Sequence, residues 1–392
     1  MSGVDVPSSR YKAGRVGSTA TTIFAEMSAL AITTDSINLG QGFPDYDGPA
    51  FMLAEAERAI AEGVNQYPPG RGIAALRQAV VDHSGRYYGL SYDAGTEVVV
   101  TTGATEALAS AILAFVDPGD EVIALEPFYD SYAASVALAG GQIVGVAVFG
   151  PDFTLDLDEL HRAVTPRTKM ILVNSPHNPT GAVLDREELA AIAALAIEHD
   201  LLVVCDEVYE HLVFDQVQHL PLAAFPGMRE RTIRISSSGK TFSATGWKIG
   251  WALAPAQLIT ELTAVKQFLT FVSGAPFQPA IARALDEGDT WVAAARTELQ
   301  SKRDRLAAGL RSVGLEPATP KGTYFMTTDV RPLGYADGVE FCRDLPMRCG
   351  VVAIPHQVFY ARVAAGRPYV RWAFCKSDRV LDEAVSRLSA LG

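Results

Sequence analysis

The sequence predicts an α/β protein: a mostly parallel central sheet in a large domain, followed by a small α+β domain. Three observations lead there. Between residues 98 and 236, short apolar runs alternate with stretches whose apolar residues recur at three- and four-residue intervals. Beyond about residue 256 that alternation gives way to one long helical stretch and then short strands. Finally, 392 residues with 48% apolar and 20% charged side chains suffice for a sizeable core. At roughly 150 residues per domain, that length suggests two or three folding units.

Taken in order, residues 1–49 have no strong period and read as an arm that joins the small domain. Residues 50–288 form the large domain. Its strand-like runs are 98–102, 121–125, 143–148, 169–173, 201–205 and 232–236, nearly continuous in apolar residues, as expected for parallel strands covered on both faces. Helical patterns at 105–116 and 186–199 lie between them. Residues 289–392 comprise an interdomain helix at 289–313, strands at 324–328, 351–354 and 369–374, and a closing helix from about residue 378. Sheets of this kind bind ligands just beyond the carboxyl ends of their strands, so the residues after each run matter most.

Composition excludes several partners. Lys+Arg 33 against Asp+Glu 45 gives a net charge of −12, without the broad basic footprint that nucleic acid requires. No segment approaches the roughly 18 apolar residues of a membrane span; the richest, 104–116 and 189–197, are short, and the first contains Glu106. The N-terminal MSGVDVPSSRYKAGR has no apolar h-region, so the expected compartment is the cytoplasm. Cys205, Cys342, Cys349 and Cys375 form no CxxC pair and read as reduced, buried thiols. The histidines show no metal spacing, and no metal is expected. GKT at 239–241 lacks the P-loop glycine at position 234, which is Arg234. GRGIAA at 70–75 follows NQYPP and not a strand, so a dinucleotide fingerprint fails as well.

A stronger constellation lies at the predicted strand ends. SPHNPTG (175–181) follows one strand, Asp206-Glu207-Val208-Tyr209 ends the next, and Ser236-Ser237-Ser238-Gly239-Lys240 a third, with Thr245-Gly246-Trp247-Lys248 close behind. Earlier, TGATEA (102–107) joins a strand to a helix. A parallel sheet gathers all four at one edge. An Asn, an Asp, a Tyr, a Ser, two Lys and a helix N-terminus then share one pocket. Pyridoxal 5′-phosphate held by a lysine as a Schiff base needs that set: a carboxylate for the pyridine nitrogen, a helix N-terminus with hydroxyl and cationic donors for phosphate, and an amine.

The resemblance is specific. NLGQGFPD (38–45), NQYPPG (65–70), GATEA (103–107), EPFYDSY (126–132), SPHNPTG, DEVYEHLVF (206–214), SGKTFSATGWKIGW (238–251), GAPFQPA (274–280) and YVRWAFCK (369–376) occur in that order. The series resembles the class I/II aminotransferases among fold-type I pyridoxal-phosphate enzymes. Within them it is most similar to the kynurenine/glutamine branch and its bacterial N-succinyldiaminopimelate aminotransferase-like proteins. The match runs from about Thr21 to the C-terminus.

The resemblance implies the roles. Lys240 is the Schiff-base lysine and proton carrier, and Asp206 pairs with the pyridine nitrogen. Asn178 and Tyr209 bond the cofactor's 3′ oxygen, and Tyr129 stacks on its ring. Gly103, Ala104 and Thr105 supply the helix start for the phosphate, with Ser237 and Lys248 adding side-chain donors. Many relatives carry arginine where Lys248 stands, and lysine keeps the charge without the planar fork. Tyr67 would cross to the partner's cofactor in a homodimer. Arg371 would grip the substrate's α-carboxylate bidentately, with Asn178 beside it, and Gly42 would line the substrate side, where a side chain would obstruct approach. The implied function is ping-pong amino transfer between an L-amino acid and a 2-oxo acid, plausibly 2-oxoglutarate. Donors of the N-succinyl-LL-diaminopimelate, kynurenine, glutamine or methionine type are expected. A cysteine-S-conjugate β-lyase would use the same residues and is the alternative; a binding protein on a retired enzyme fold is disfavoured because Lys240 and Asp206 are both present. FLTFVSGAPF (268–277) is expected to border the side-chain pocket and, having no arginine, argues against a dedicated aspartate specificity.

Overall fold

Six of the apolar runs become strands of one sheet, and two further strands complete it. The computed structural model describes residues 23–150 and 152–391. In chain order the strands are β1 (Val98–Thr102), β2 (Glu121–Glu126), β3 (Gln142–Phe149), β4 (Thr154–Leu155), β5 (Thr168–Asn174), β6 (Leu202–Asp206), β7 (Thr232–Ser237) and β8 (Ile249–Leu253). Their order across the sheet is β1-β8-β7-β6-β5-β2-β3-β4. The pairs β7–β6, β6–β5, β5–β2 and β2–β3 are parallel, whereas β8 is antiparallel to both β7 and β1, and β4 is antiparallel to β3. The expected α/β class with a mostly parallel sheet is thus borne out.

The strand β8 is absent from the sequence-based expectation. Its five residues, IGWAL, begin close behind β7, and the linker 238–248 is too short for a parallel crossover. The chain therefore turns back on itself, with Ser237 opposite Gly250 and Arg234 opposite Leu253. Consecutive strand residues face opposite sides. Val99, Val122, Ala124, Leu172, Val204, Ile233 and Ile235 pack with Leu108 and Ile112 of the helix Gly103–Phe115. Ile123, Val146, Ile171, Val203 and Cys205 pack with Leu189 and Ile192 of the helix Arg186–Glu198 on the other face. That second helix starts at a capping box, in which Asp185 accepts from the Glu188 backbone N–H and Glu188 accepts from that of Asp185.

The C-terminal part is built on a four-stranded antiparallel sheet in the order Pro317–Ala318, Phe325–Asp329, Tyr369–Ala373, Ile354–Pro355. The helices Asp289–Ser312, Gly338–Cys349 and Asp378–Leu388 accompany it. Residues 23–49 do associate with it: Ile37–Asn38 pairs in parallel with Val351–Val352, and Met27, Ala31 and Leu39 enter the same core as Phe341 and Trp372. The first 22 residues of the expected arm lie outside the described residues. All four cysteines are buried and unpaired, as anticipated. Among the described residues, no helix is long and apolar enough to cross a membrane.

Candidate active site

Strand order explains the assembly of the site. The neighbours β1, β8, β7, β6, β5 and β2 lie side by side. The carboxyl ends of the five parallel members therefore meet the amino end of the antiparallel β8 at one rim. There a cavity of about 350 Å³ opens. Its lining includes Gly42, Gly103, Ala104, Thr105, Tyr129, Asn178, Asp206, Tyr209, Ser237, Lys240, Lys248 and Arg371. Every residue anticipated for this site is thereby brought together except Tyr67.

One end of the cavity is an anion pole. The helix Gly103–Phe115 begins directly behind β1, and no side chain caps its N-terminal N–H groups. Gly103 has φ +71°, open to glycine at no cost, and Lys248 occupies the left-handed region at φ +55°. A Cβ on Gly103 would stand 3.1 Å from Lys248 Nζ, and one on Gly250 would stand 2.6 Å from the Gly103 carbonyl carbon. The two glycines let β8, Lys248 and the helix start close on one another. Buried Ser237, at the end of β7, lines the same end.

The middle of the cavity holds a carboxylate and an amine. Asp206 is 5% exposed, and burial pushes its carboxyl up to about 6. The Tyr132 hydroxyl donates to its Oδ2 at 2.6 Å, and Asn174 Nδ2 donates to its backbone carbonyl at 2.9 Å. Lys240 sits in the short helix Ser238–Thr241. Its Nζ donates to the Tyr324 hydroxyl at 2.6 Å and to the Gly42 carbonyl at 3.4 Å, and burial draws its pKa down to about 8. Burial likewise raises the phenols of Tyr209 and Tyr129, keeping both protonated.

At the far end stands Arg371, on the strand Tyr369–Ala373. It is 3% exposed, and no carboxylate of the described residues pairs with it. Its Nη1 donates to Asn178 Oδ1 at 3.1 Å and its Nη2 to the Gly40 carbonyl at 2.9 Å, while Nε has no partner. The guanidinium lies 4.0 Å from the Phe325 ring centre and 4.9 Å from that of Phe359. Burial lowers its pKa to about 10, so it stays charged. A buried cation without an anion is strongly disfavoured unless a ligand completes it. A planar carboxylate matches its fork.

Two expectations need correction. Gly42 lines the cavity, but what forbids a side chain there is protein: a Cβ would fall 2.4 Å from Phe325 Cζ. The segment 268–277 lines no part of this cavity; Phe268 is 85% exposed. Phe271 instead meets Tyr67 edge-on at 5.4 Å, and Tyr67 itself is 82% exposed, outside the cavity of its own chain. Sequence reading missed Tyr132 and Tyr324. Tyr132 could have been found, because it lies three residues after Tyr129 in the same EPFYDSY stretch, Tyr129 being the N-cap of the helix Asp130–Ala139. Tyr324 reaches Lys240 from the other sheet, a contact that no local pattern carries.

An anion pole, a buried carboxylate, an amine of low proton affinity and a free carboxylate grip form the donor set that pyridoxal phosphate and an α-amino acid require. Comparison with known proteins agrees. The family model for aminotransferase class I and II matches residues 34–388. A Mycobacterium tuberculosis protein described as a probable N-succinyldiaminopimelate aminotransferase is 57% identical over 383 residues, covering 95% of this chain and 96% of the relative. The Escherichia coli methionine aminotransferase is 41% identical over 371 residues, covering 95% and 96%. The solved structure of N-succinyldiaminopimelate aminotransferase from M. tuberculosis superposes with a TM-score of 0.95 at 56% identity, covering 97% of this chain and 100% of that one. These relatives are transaminases, and the β-lyase alternative is not favoured. The chain belongs to the class I and II aminotransferases, enzymes that use pyridoxal phosphate to move an amino group between an amino acid and a 2-oxo acid.

Proposed function

We propose that Lys240, Asp206, Tyr209 and Arg371 carry this amino transfer, and that the donor is an α-amino acid with a long or apolar side chain. The observation that carries the reading is Arg371, a buried guanidinium at the cavity edge with no anion of its own. Bound pyridoxal phosphate would supply an electron sink for the electrons left when a proton departs the substrate's Cα. Gly103, Ala104, Thr105, Ser237 and Lys248 would hold its phosphate, and Asp206 its pyridine nitrogen. Asn178 and Tyr209 would hold its ring oxygen, with Tyr129 against its ring. Arg371 and Asn178 orient the substrate carboxylate. Lys240, with an amine that is partly neutral near pH 8, takes the proton from Cα at Nζ and returns it on the product side.

Phe24, Phe43 and Phe325 wall the substrate side, and among the described residues Arg371 is the sole arginine in the lining. The aromatic walls favour donors of the kynurenine, glutamine or methionine type over aspartate, whereas N-succinyl-LL-diaminopimelate as donor rests on the 57% identical relative and 2-oxoglutarate as acceptor on the chemistry of the family. The exposed Tyr67–Phe271 pair supports a homodimer in which Tyr67 crosses to the partner's cofactor. Four reduced, buried cysteines support a cytoplasmic setting. On this reading the chain divides into an arm (1–49), a large cofactor-binding domain (50–288) and a small domain with its interdomain helix (289–392).

A half-reaction screen tests the proposal. Each amino acid is added alone to purified, cofactor-loaded protein, and the visible absorbance of the bound cofactor is followed. Bleaching by one of the named donors, restored by 2-oxoglutarate, is expected. Bleaching fastest with aspartate would refute the donor class, and visible absorbance retained in Lys240→Ala would refute the role of Lys240.

A further inference from the structure

Lys240 is held by a residue outside every motif that marks this family in the chain. Tyr324 is 1% exposed, directly before the strand Phe325–Asp329 of the small domain's sheet. Its hydroxyl donates to the Gly42 carbonyl at 2.5 Å and accepts from Lys240 Nζ at 2.6 Å. A backbone carbonyl can only accept, so with the phenol's proton on Gly42 its lone pairs face the lysine, and the Tyr209 hydroxyl is a further hydrogen-bond partner of the same phenol. Tyr209 lies beside them, its ring perpendicular to that of Tyr324 at 5.2 Å. The strap around Gly42 is pinned further on both sides: the Gly40 carbonyl accepts from Arg371 at 2.9 Å and the Phe43 carbonyl accepts from Lys376 at 2.8 Å.

We propose that Tyr324 is a positioning residue that receives Lys240 whenever its amine is free, fixing where Nζ stands and favouring its protonated form between the two halves of the reaction. The proposal rests on the reading of Lys240 as the amine that carries the cofactor. During each half-reaction that amine must be released, hold a proton and give it back. A lysine has four rotatable bonds, and without a fixed acceptor Nζ would sample positions far from the substrate's Cα. An oxygen that only accepts holds an N–H and leaves the amine's lone pair directed elsewhere, which is the orientation a base needs. Because the acceptor directly precedes the strand Phe325–Asp329, whose Thr327 pairs with Arg371, the carboxylate grip and the lysine rest are set by one antiparallel strand pair.

The other groups acting on Lys240 are known. Burial is the main influence lowering its proton affinity, Cys375 and Asp206 raise it, and Arg371 and Lys248 lower it. Tyr209 and Tyr324 remain neutral, since burial raises both phenols. Removing the Tyr324 hydroxyl therefore strips an acceptor from the ammonium form and leaves the charges in place. The expected result is a further fall in the lysine's pKa.

The test uses cofactor-free full-length protein. Trinitrobenzenesulfonate is added across a range of pH, and modification of Lys240 is read by peptide mass spectrometry in the parent and in Tyr324→Phe. The midpoint for Lys240 should fall by about one pH unit in the variant, while modification of exposed lysines remote from the cavity is unchanged. In loaded enzyme kcat should drop about tenfold with KM for the amino acid unchanged. Site-specific 3-fluorotyrosine at position 324, which keeps the shape and weakens the acceptor, should move the midpoint the same way by a smaller step, and it decides the matter if the phenylalanine variant misfolds. An unmoved midpoint in both variants overturns the proposal. Cofactor captured in the parent at a lysine other than Lys240 would instead overturn the underlying assignment, and peptide mapping after borohydride reduction separates the two failures.

Discussion

Replacing Arg371 by glutamine removes the cation and leaves a shorter neutral amide that cannot reach the positions of Nη1 and Nη2. In the free protein the guanidinium spends Nη1 on Asn178 and Nη2 on Gly40, with Nε left over. A substrate carboxylate would add two charge-assisted hydrogen bonds, each contributing about 1.5–3 kcal/mol, or about 3–6 kcal/mol together. At about 1.4 kcal/mol per factor of ten, Arg371→Gln should lower kcat/KM roughly a hundred- to ten-thousand-fold. The charge also opposes protonation of Lys240, so the variant's lysine should titrate higher. The assay is the rate of cofactor bleaching against donor concentration, run in parallel with the decarboxylated amine of the same donor. The parent should strongly prefer the amino acid, and the variant should treat the two nearly alike. If the variant loses as much activity towards the amine as towards the acid, Arg371 acts through packing on Phe325 and Phe359 and not through the carboxylate, and the argument fails.

Asp206 offers a pH signature. Its carboxyl stands near 6 in the fold against 3.8 outside it, so the stability it contributes is complete below about 3.8 and lost as pH rises through about 6. The displacement of about two units corresponds to ~3 kcal/mol at about 1.4 kcal/mol per unit. Cofactor-free Asp206→Asn should then melt higher than the parent at pH 8, with roughly half that gain at pH 5; equal melting at pH 8 would contradict it. Gly250→Ala places a methyl 2.6 Å from the Gly103 carbonyl carbon and 2.8 Å from Ala104 N, so the helix start must move. Pyridoxal phosphate affinity, followed by absorbance titration, should weaken at least tenfold, and an unchanged Kd would refute the anion pole. Tyr132→Phe deletes the 2.6 Å donor to Asp206 and should cut kcat about tenfold while leaving KM within a factor of two.

How far the sequence reveals this molecule depends on the range of the determining contacts. The parallel strands were legible because burial on both faces demands continuous apolar runs, and the expected ends at 173, 205 and 236 each fall one residue short of the strand ends Asn174, Asp206 and Ser237, with Asn178 four residues beyond the first. The strand β8 was not, because its identity comes from the short return at 238–248 and from pairing on both sides with β7 and β1. Its direction matters: only an antiparallel strand puts Lys248, which precedes it, at the same rim as residues that follow the others. The glycine at 42 was placed correctly for a different reason, since its neighbour Phe325 lies far along the chain. Tyr324 was invisible for the same cause. Tyr67 lies outside its own chain's cavity, and the partner contact proposed for it is one a single chain would not display.

Buried charge separates architecture from chemistry in this sheet. Asp206 and Glu207 are adjacent, yet they serve opposite faces. Asp206 pairs in register with Ile235 towards the helix Gly103–Phe115, whereas Arg234 pairs in register with Cys205 on the reverse face. On that reverse face the charges satisfy one another: Arg234 reaches Glu207 at 2.7 Å and Glu210 at 3.6 Å, and Ser236 Oγ donates to Glu210 at 2.5 Å. Burial works to raise the Glu207 carboxyl, but Arg234 and His219 hold it down near 2. Glu207, Glu210 and His219 bring ligand atoms within 4.8 Å of one another, the spacing of a metal site. The arginine already sits on both carboxylates, and a cation there would have to displace it. On the cavity face nothing is so balanced. Asp206 has only a phenol and a backbone N–H, Lys240 only a phenol and a carbonyl, and Arg371 an amide, a carbonyl and aromatic rings. Each is pushed towards its neutral form by burial because its counter-charge is not protein. On the proposed reading a pyridinium would answer the first and a substrate carboxylate the third, leaving the amine between them able to change its protonation.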